Sequence, residues 1–332
     1  MFTIAVIGHG YWGSKLTSKW AAIEEADLRH VCDLRPDRAN AAGHMYKCDT
    51  STDYHKMLAD PAIKAVNIAT PIETHFAITR DALNAGKHVL VEKPLSCSVD
   101  EVDELSAIAN EKGLILMAGH TFLFSQPVLK AKELLDRPEF GKIDAIFMKR
   151  NNLGRHKKTN NVLWDLAPHD ISILDYWLKR EPIAVQAAGV TTAYPGVVDV
   201  AVMNLFYPND TIVNVQLSWK SPTKDRDSLV IGRNQMLVYD DTKGPEAVKL
   251  YNTGLHMHPE LPDDDAFEYY QGDIFIPDIP NKEPLMSECR HFMECVQQNK
   301  EPFPHAIHAR RVVHIIQQAE YSMNHAGIRV DL

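Results

Sequence analysis

Phe2-Thr3-Ile4-Ala5-Val6-Ile7-Gly8-His9-Gly10-Tyr11-Trp12-Gly13 is the stretch that decides the fold. Phe2 to Ile7 is a short apolar run rich in β-formers, ending at a glycine and followed by a helical pattern. Gly-x-Gly-x-x-Gly is a weak signal alone and gains meaning only between a strand and a helix, where it stands here. Each glycine has its own task. Gly8 permits the tight turn, Gly10 lets a pyrophosphate approach the backbone, and Gly13 lets the helix pack closely on the sheet, with Tyr11 and Trp12 opening that helix. The helix start then offers partial positive charge and N–H groups to an anion.

Working outward, Leu28 to Cys32 reads as a second strand that ends at Asp33, twenty residues after Gly13. A carboxylate there accepts hydrogen bonds from both hydroxyls of a ribose and repels a 2′-phosphate, so NAD is expected over NADP. Arg35 and Arg38 leave the second cofactor open, because either can serve a 2′-phosphate. Further strands are expected at Ala65 to Ala69, stopped by Thr70-Pro71; at His88 to Val91, stopped by Glu92-Lys93-Pro94; and at Leu114 to Met117. A helix is expected from about Val99 to Lys112, with Ser98 and Glu101 as a capping box and Gly113 past its end. Such alternation implies a doubly wound parallel sheet, whose ligands bind beyond the carboxyl ends of the strands. Asp33, Thr70 and Lys93 all fall at such ends.

The chain has 332 residues, enough for two domains: a Rossmann-type dinucleotide-binding domain over 1–121 and an α+β domain over 122–332. A net charge of −9 opposes binding to a polyanion, so nucleic acid is not an expected partner. No run reaches membrane length, and the apolar N-terminus is too short for a signal segment. Five cysteines with no C-x-x-C pair point to a reducing cytoplasm rather than a disulfide framework. Cys289, His291 and Cys295 lie close together in an expected helix but lack paired ligand spacing, so no metal is expected.

After Gly119 the strict alternation ends. A helix is expected over Gln126 to Asp136 and a strand over Ile143 to Arg150. Strands follow at Val185 to Val190, Val200 to Tyr207, Thr211 to Trp219, Ser228 to Ile231 and Met236 to Tyr239. Arg233-Asn234-Gln235 reads as a hairpin turn, so the sheet is mainly antiparallel and open, with helices on one face. His256 to Pro284, rich in Pro, Asp and Gly, reads as a long surface loop that includes His258. Val312, Ile316, Ala319 and Met323 form one apolar stripe of a closing helix.

Two segments carry chemistry. Lys93 ends an apolar strand and points into the cofactor crevice, with Pro94 restricting its backbone. In Trp164-Asp165-Leu166-Ala167-Pro168-His169-Asp170-Ile171, Asp165 and His169 share one face of a helix. Pro168 is expected in its first turn, which starts the helix near Asp165. An aspartate cap and a packed histidine would leave the same pattern. Candidate substrate contacts are His120, Arg150, Asn152, Asn161 and Lys220, with Arg150, Arg155 and Lys157 available to a diphosphate.

Gly8 to Gly13, Glu92-Lys93-Pro94, Asp165-x-x-x-His169 and Ala69-Thr70-Pro71-x-x-x-His75 together resemble the Gfo/Idh/MocA oxidoreductases across essentially the whole chain. The resemblance implies that Lys93, Asp165 and His169 form the catalytic group. Lys93 would polarise a hydroxyl, His169 would take its proton and Asp165 would orient them. It implies that Glu92, Thr70, Pro71 and His75 join the glycine turn around NAD, and that the open sheet face makes a homodimer or homotetramer. Where many members carry Gly-Gly, this chain has Asn160-Asn161-Val162-Leu163-Trp164, a variant that resembles the UDP-N-acetylglucosamine 3-dehydrogenases and related nucleotide-sugar enzymes. The expected function is NAD-dependent hydride transfer at a secondary alcohol of a sugar or nucleotide sugar. An NAD-dependent glycosidase and a non-catalytic nucleotide sensor are the alternatives of the same fold.

Overall fold

A computed structural model describes residues 1–154, 156–257 and 267–332. Contacts group the chain into two units, each discontinuous in sequence: Met1–Phe124 with Glu283–His314, and Ser125–Lys282 with Ile315–Leu332. Residues 283–314, expected in the second domain, therefore pack with the first unit.

In the first unit, β1 (Phe2–Ile7), α1 (Tyr11–Ala22), β2 (Ala26–Cys32), α2 (Pro36–Tyr46), β3 (Asp49–Ser51), α3 (Tyr54–Leu58), β4 (Ala65–Ile68), α4 (His75–Asn84), β5 (His88–Glu92), α5 (Val99–Glu111) and β6 (Leu116–Gly119) follow in order. The sheet runs β3-β2-β1-β4-β5-β6, and every pairing is parallel. The chain leaves β1 toward β2 on one side and resumes with β4 on the other, which opens a crevice at the carboxyl ends of these strands. β4 is buried at all four positions, as a strand covered on both faces must be. β3, Asp-Thr-Ser, has no apolar pattern and was not legible as a strand.

Below the sheet, the rings of Phe2, Trp20 and Phe292 meet at 6.0 to 6.3 Å, so α8 (Pro284–Gln298) completes this core. Asn67 is buried among these groups at no hydrogen-bonding loss. It accepts from Trp20 Nε1 at 2.8 Å and donates to the Leu90 carbonyl at 3.1 Å. The expected capping box of α5 does not form, for Ser98 offers no side-chain cap. Ser96 instead donates its hydroxyl to the Glu101 carboxylate and accepts from the Ser98 N–H.

In the second unit, α6 (Gln126–Leu135), β7 (Ile143–Asn151), α7 (Val162–Leu178), β8 (Ala184–Val190), β9 (Val200–Tyr207), β10 (Thr211–Ser218), β11 (Asp225–Gly232), β12 (Met236–Asp240), β13 (Val248–Met257), β14 (Phe267–Phe275) and β15 (Val330–Asp331) are found. Their sheet runs β14-β13-β12-β11-β7-β10-β9-β8-β15 and is antiparallel except between β7 and β10. β13 and β14 correct part of the expected loop: His256–Met257 and Phe267–Phe275 belong to a strand pair, while His258 lies outside the described residues. Asn252, Gly254, Gly272 and Asp273 lower strand propensity there. Gly254 is nonetheless favoured, because a Cβ would stand 2.9 and 3.0 Å from the backbone carbonyl oxygens of Asn234 and Arg233. The last helix, α9 (Ala306–Asn324), buries Val312, Ile316 and Ala319 along its stripe. Among the described residues no helix is long and apolar enough to cross a membrane.

Candidate active site

In the first unit, β1 delivers the glycine turn and the structure separates its three glycines by cause. Gly8 has φ +92°, and a Cβ there would lie 2.6 Å from the Ala69 carbonyl oxygen. A Cβ on Gly13 would overlap the Gly8 carbonyl oxygen. Gly10 differs: its Cβ would meet only the Arg38 guanidinium, at an ordinary 3.6 Å. The fold itself makes no demand for glycine at Gly10, whereas a ligand pressed against this backbone does. No side chain caps α1 and no acid occupies its first turn, so its positive end is unscreened. Tyr11 is exposed beside this turn, and the Lys15 ammonium sits over its ring and that of Trp12.

Asp33 closes β2, nearly buried, and accepts from the backbone N–H of His9 at 2.6 Å and of Arg35 at 2.9 Å. These bonds aim the carboxylate across the glycine turn and leave it lone pairs for further donors. The Arg35 side chain turns instead to Asp37, with its two nitrogens 3.3 and 2.8 Å from the carboxylate oxygens. Its guanidinium is thus engaged, while Arg38 is the cation that borders Gly10. The turn, the helix end and the aimed carboxylate fit a dinucleotide with a free ribose diol.

Thr70 and Pro71 follow β4, and Thr70 shares a 2.7 Å hydrogen bond with Thr74. The ring of His75, expected beside the cofactor, faces two backbone carbonyls. Its Nδ1 lies 2.8 Å from the Pro94 carbonyl oxygen and its Nε2 2.9 Å from that of Thr70, with the ring 2% exposed. It braces the ends of β4 and β5 against each other and has no ring nitrogen left for a ligand. Burial lowers its pKa, against the pull of the two carbonyls.

Glu92 ends β5 opposite Gly119, and the Lys93-Pro94 peptide that follows is cis. Burial pushes the Glu92 carboxyl up to about 7, with the Lys93 ammonium opposing. His120, expected at the substrate, is 1% exposed, with its ring edge-on to His308 at 5.2 Å. Burial first, then His308 and Lys93, hold His120 well below the usual imidazole range, so it is neutral. Glu288 on α8 was not foreseen. It accepts from the Thr121 hydroxyl at 2.9 Å, across 167 residues of chain. A lone carboxylate among the buried Leu285, Cys289 and Phe292 was its only signal in the sequence.

In the second unit, α7 starts at Val162, not near Asp165. Asn161 is its N-cap and accepts from Leu163 N and Trp164 N at 3.0 and 3.3 Å. Its amide also donates to Glu320 at 2.6 Å, so this candidate substrate contact is a helix cap with both ends in use. Pro168 consequently lies inside the helix rather than in its first turn, leaving the Trp164 carbonyl without its usual helical donor. Asp165 and His169 keep one face, a turn apart. One Asp165 oxygen takes the Lys157 ammonium at 2.6 Å and the other takes Trp219 Nε1 at 2.9 Å. Trp219 was not picked out from the sequence as a site residue.

The guanidinium of Arg150, an expected substrate contact, grips Asp170 with three contacts of 2.7 to 3.0 Å, and the residue is 4% exposed. Asn152 is part-buried and donates its backbone N–H to Ser218; Lys220 is exposed on the next strand end. Arg155 lies outside the described residues.

Comparison with known proteins agrees with this geometry. Residues 2–120 match the model of an oxidoreductase family with an NAD-binding Rossmann fold, and residues 128–238 match the Gfo/Idh/MocA C-terminal domain. A UDP-N-acetylglucosamine 3-dehydrogenase of Acidithiobacillus ferrooxidans is 27% identical over 93% of both chains. A scyllo-inositol 2-dehydrogenase (NAD(+)) of Bacillus subtilis is 29% identical over 76% of this chain and 73% of its own. The crystal structure of scyllo-inositol dehydrogenase from Lactobacillus casei shares the fold at a TM-score of 0.81 and 20% identity, covering 100% of this chain and 99% of that one. With both domain models matched in order along the chain, the protein is an NAD-dependent oxidoreductase of the Gfo/Idh/MocA family.

Proposed function

We propose that the protein transfers hydride at a secondary alcohol carbon of a sugar or nucleotide sugar, with Lys93, Asp165 and His169 acting on one substrate. The observation that carries this is the ordering of Asp165. A part-buried carboxylate holds an ammonium on one oxygen and an indole N–H on the other, one helical turn before an imidazole. Packing alone asks for neither partner.

In this reading His169 takes the hydroxyl proton as hydride leaves the same carbon, and returns it in the reverse direction; imidazole suits the task because it titrates near neutrality. Lys93 donates a hydrogen bond to the reacting oxygen and stabilises the charge that develops there. Asp165 orients substrate and His169. Gly10 and the α1 start take the pyrophosphate, and Asp33 takes the ribose hydroxyls. NAD, when bound, supplies the hydride acceptor. The Lys157–Asp165 pair brings a basic group to the α7 start, which suits a substrate carrying phosphate, so UDP-N-acetylglucosamine heads the substrates to test. We also propose that the open face of the nine-stranded sheet joins copies of the chain as a homodimer or homotetramer.

The test is NADH formation across a panel of UDP-sugars, free sugars and inositols, with Lys93→Ala alongside. Turnover of at least one member, lost in the variant while NAD binding persists, is expected. Ordinary turnover in Lys93→Ala would remove the catalytic assignment.

A further inference from the structure

Five groups that hold or exchange protons gather in the first unit: Glu92 and Lys93 after β5, His120 after β6, Glu288 on α8 and His308 on α9. Only Lys93 has a part in the reaction proposed above. We propose that Glu288 is a positioning residue for Lys93: it is held as a neutral carboxylic acid, leaving the negative charge of the pair of carboxyls to Glu92, beside the Lys93 ammonium. This rests on the reading of Lys93 as the group that meets the reacting oxygen.

The geometry comes first. Glu288 is fully buried. One carboxyl oxygen accepts from the Thr121 hydroxyl at 2.9 Å, and the other has no hydrogen-bond partner among the described residues. An ionised carboxylate so placed would keep a single neutral donor, far too little to replace its hydration. Among the described residues, the groups that act on Glu288 include no cation. α1 packs against α8 and brings Lys19, whose ammonium lies on Glu283 at 2.7 Å. His120 is neutral and stands edge-on to His308. The charged neighbour that acts on Glu288 is another carboxyl, Glu92.

Glu92 has the better claim to the negative charge. It is next to Lys93 in the chain and lies against the backbone of Gly119, where a Cβ would stand 3.5 Å from its Oε1. Two neighbouring carboxyls do not both ionise cheaply, and the Lys93 ammonium acts on Glu92, so Glu288 keeps its proton. Burial, then Glu92, push Glu288 well above the usual carboxyl range, and Glu92 itself is raised only to about 7. Near neutrality Glu92 therefore titrates, and with it the charge beside Lys93. Glu288 fixes where that titration falls, through its volume and its neutrality.

A Glu288 that merely pinned α8 to the 121–124 turn would do none of this. The full-length protein is tested in two ways. In infrared difference spectra near pH 8, the wild type should show the carbonyl stretch of a buried protonated carboxyl, and Glu288→Gln should lack it. In pH–rate profiles, Glu288→Ala admits water and should move the limb near pH 7 downward by about one unit. Glu288→Gln, neutral and of the same size, should bring it back.

If Glu288 is ionised, the band is missing and Glu288→Gln shifts the limb downward as alanine does; either result overturns the proposal. Should Glu288→Ala fail to fold, the infrared comparison and the glutamine profile still decide. The infrared result is independent of turnover, so loss of the Lys93 reading and loss of this one are separable.

Discussion

Gly10 and Gly13 are glycines for opposite reasons, and substitution should expose the difference. Gly13→Ala drives a methyl into the Gly8 carbonyl, a backbone atom with nowhere to move, and should cost about 3 kcal/mol or more. Gly10→Ala makes only an ordinary contact with the Arg38 guanidinium and should cost no more than about 1 kcal/mol, while weakening NAD binding roughly tenfold or more. Thermal melts with and without NAD separate the two; equal destabilisation would refute the distinction. At the far end of the same turn, Asp33→Ala should weaken NAD and narrow its advantage over NADP, measured as the ratio of kcat/KM values. A wild type that prefers NADP would overturn this reading of Asp33. His169→Ala should lower kcat on the order of 10²-fold and remove a limb of the pH–rate profile, and an unchanged profile would exclude it as the base. Glu92 gives a prediction about stability. Its carboxyl is raised from 4.5 to about 7, so the folded chain binds this proton more tightly than the unfolded chain does. Its contribution is favourable below the unfolded value and is lost as pH rises through the interval to about 7. Glu92→Gln should therefore gain on the wild type steadily as pH rises from 4.5 to 7 in denaturant titrations. A constant difference would mean that Glu92 is not buried as described.

At the level of elements, what was legible followed local chemistry. The strand–glycine–helix unit could be read because each glycine answers a backbone demand within a few residues. Asp165 and His169 could be read as a pair because helix geometry alone puts them on one face. Pro168 suggests a first-turn position, but the Asn161 cap together with the buried Val162, Leu163 and Trp164 starts α7 earlier, with Pro168 inside it. β13 and β14 were hidden by glycines that serve the close approach of two strands. Arg150 and Glu288 could not be read at all. One is closed by Asp170 twenty residues away and the other by Thr121 at 167, and no periodicity records contacts of that kind.

At the scale of the whole molecule, the nine-stranded sheet has two unlike faces. On β9 and β10 the positions Ala201, Met203, Leu205, Val213, Val215 and Leu217 are buried under helices. The alternate face exposes Phe147, Val202 and Ile212 at 42%, 43% and 39%. These three lie on neighbouring strands, β7, β9 and β10, with the hydrogen-bonded amides of Asn204, Asn214 and Gln216 between them on the same face. Large apolar side chains this exposed on a broad sheet face are where the proposed contact between copies would fall. Val202→Glu with Ile212→Glu puts two charges into that face and leaves the helix-covered core untouched. The double variant should run as a smaller species than the wild type in light scattering, with far-ultraviolet dichroism unchanged. A wild type that is already monomeric at tens of micromolar would show that this face meets water, and the assembly proposal would fail.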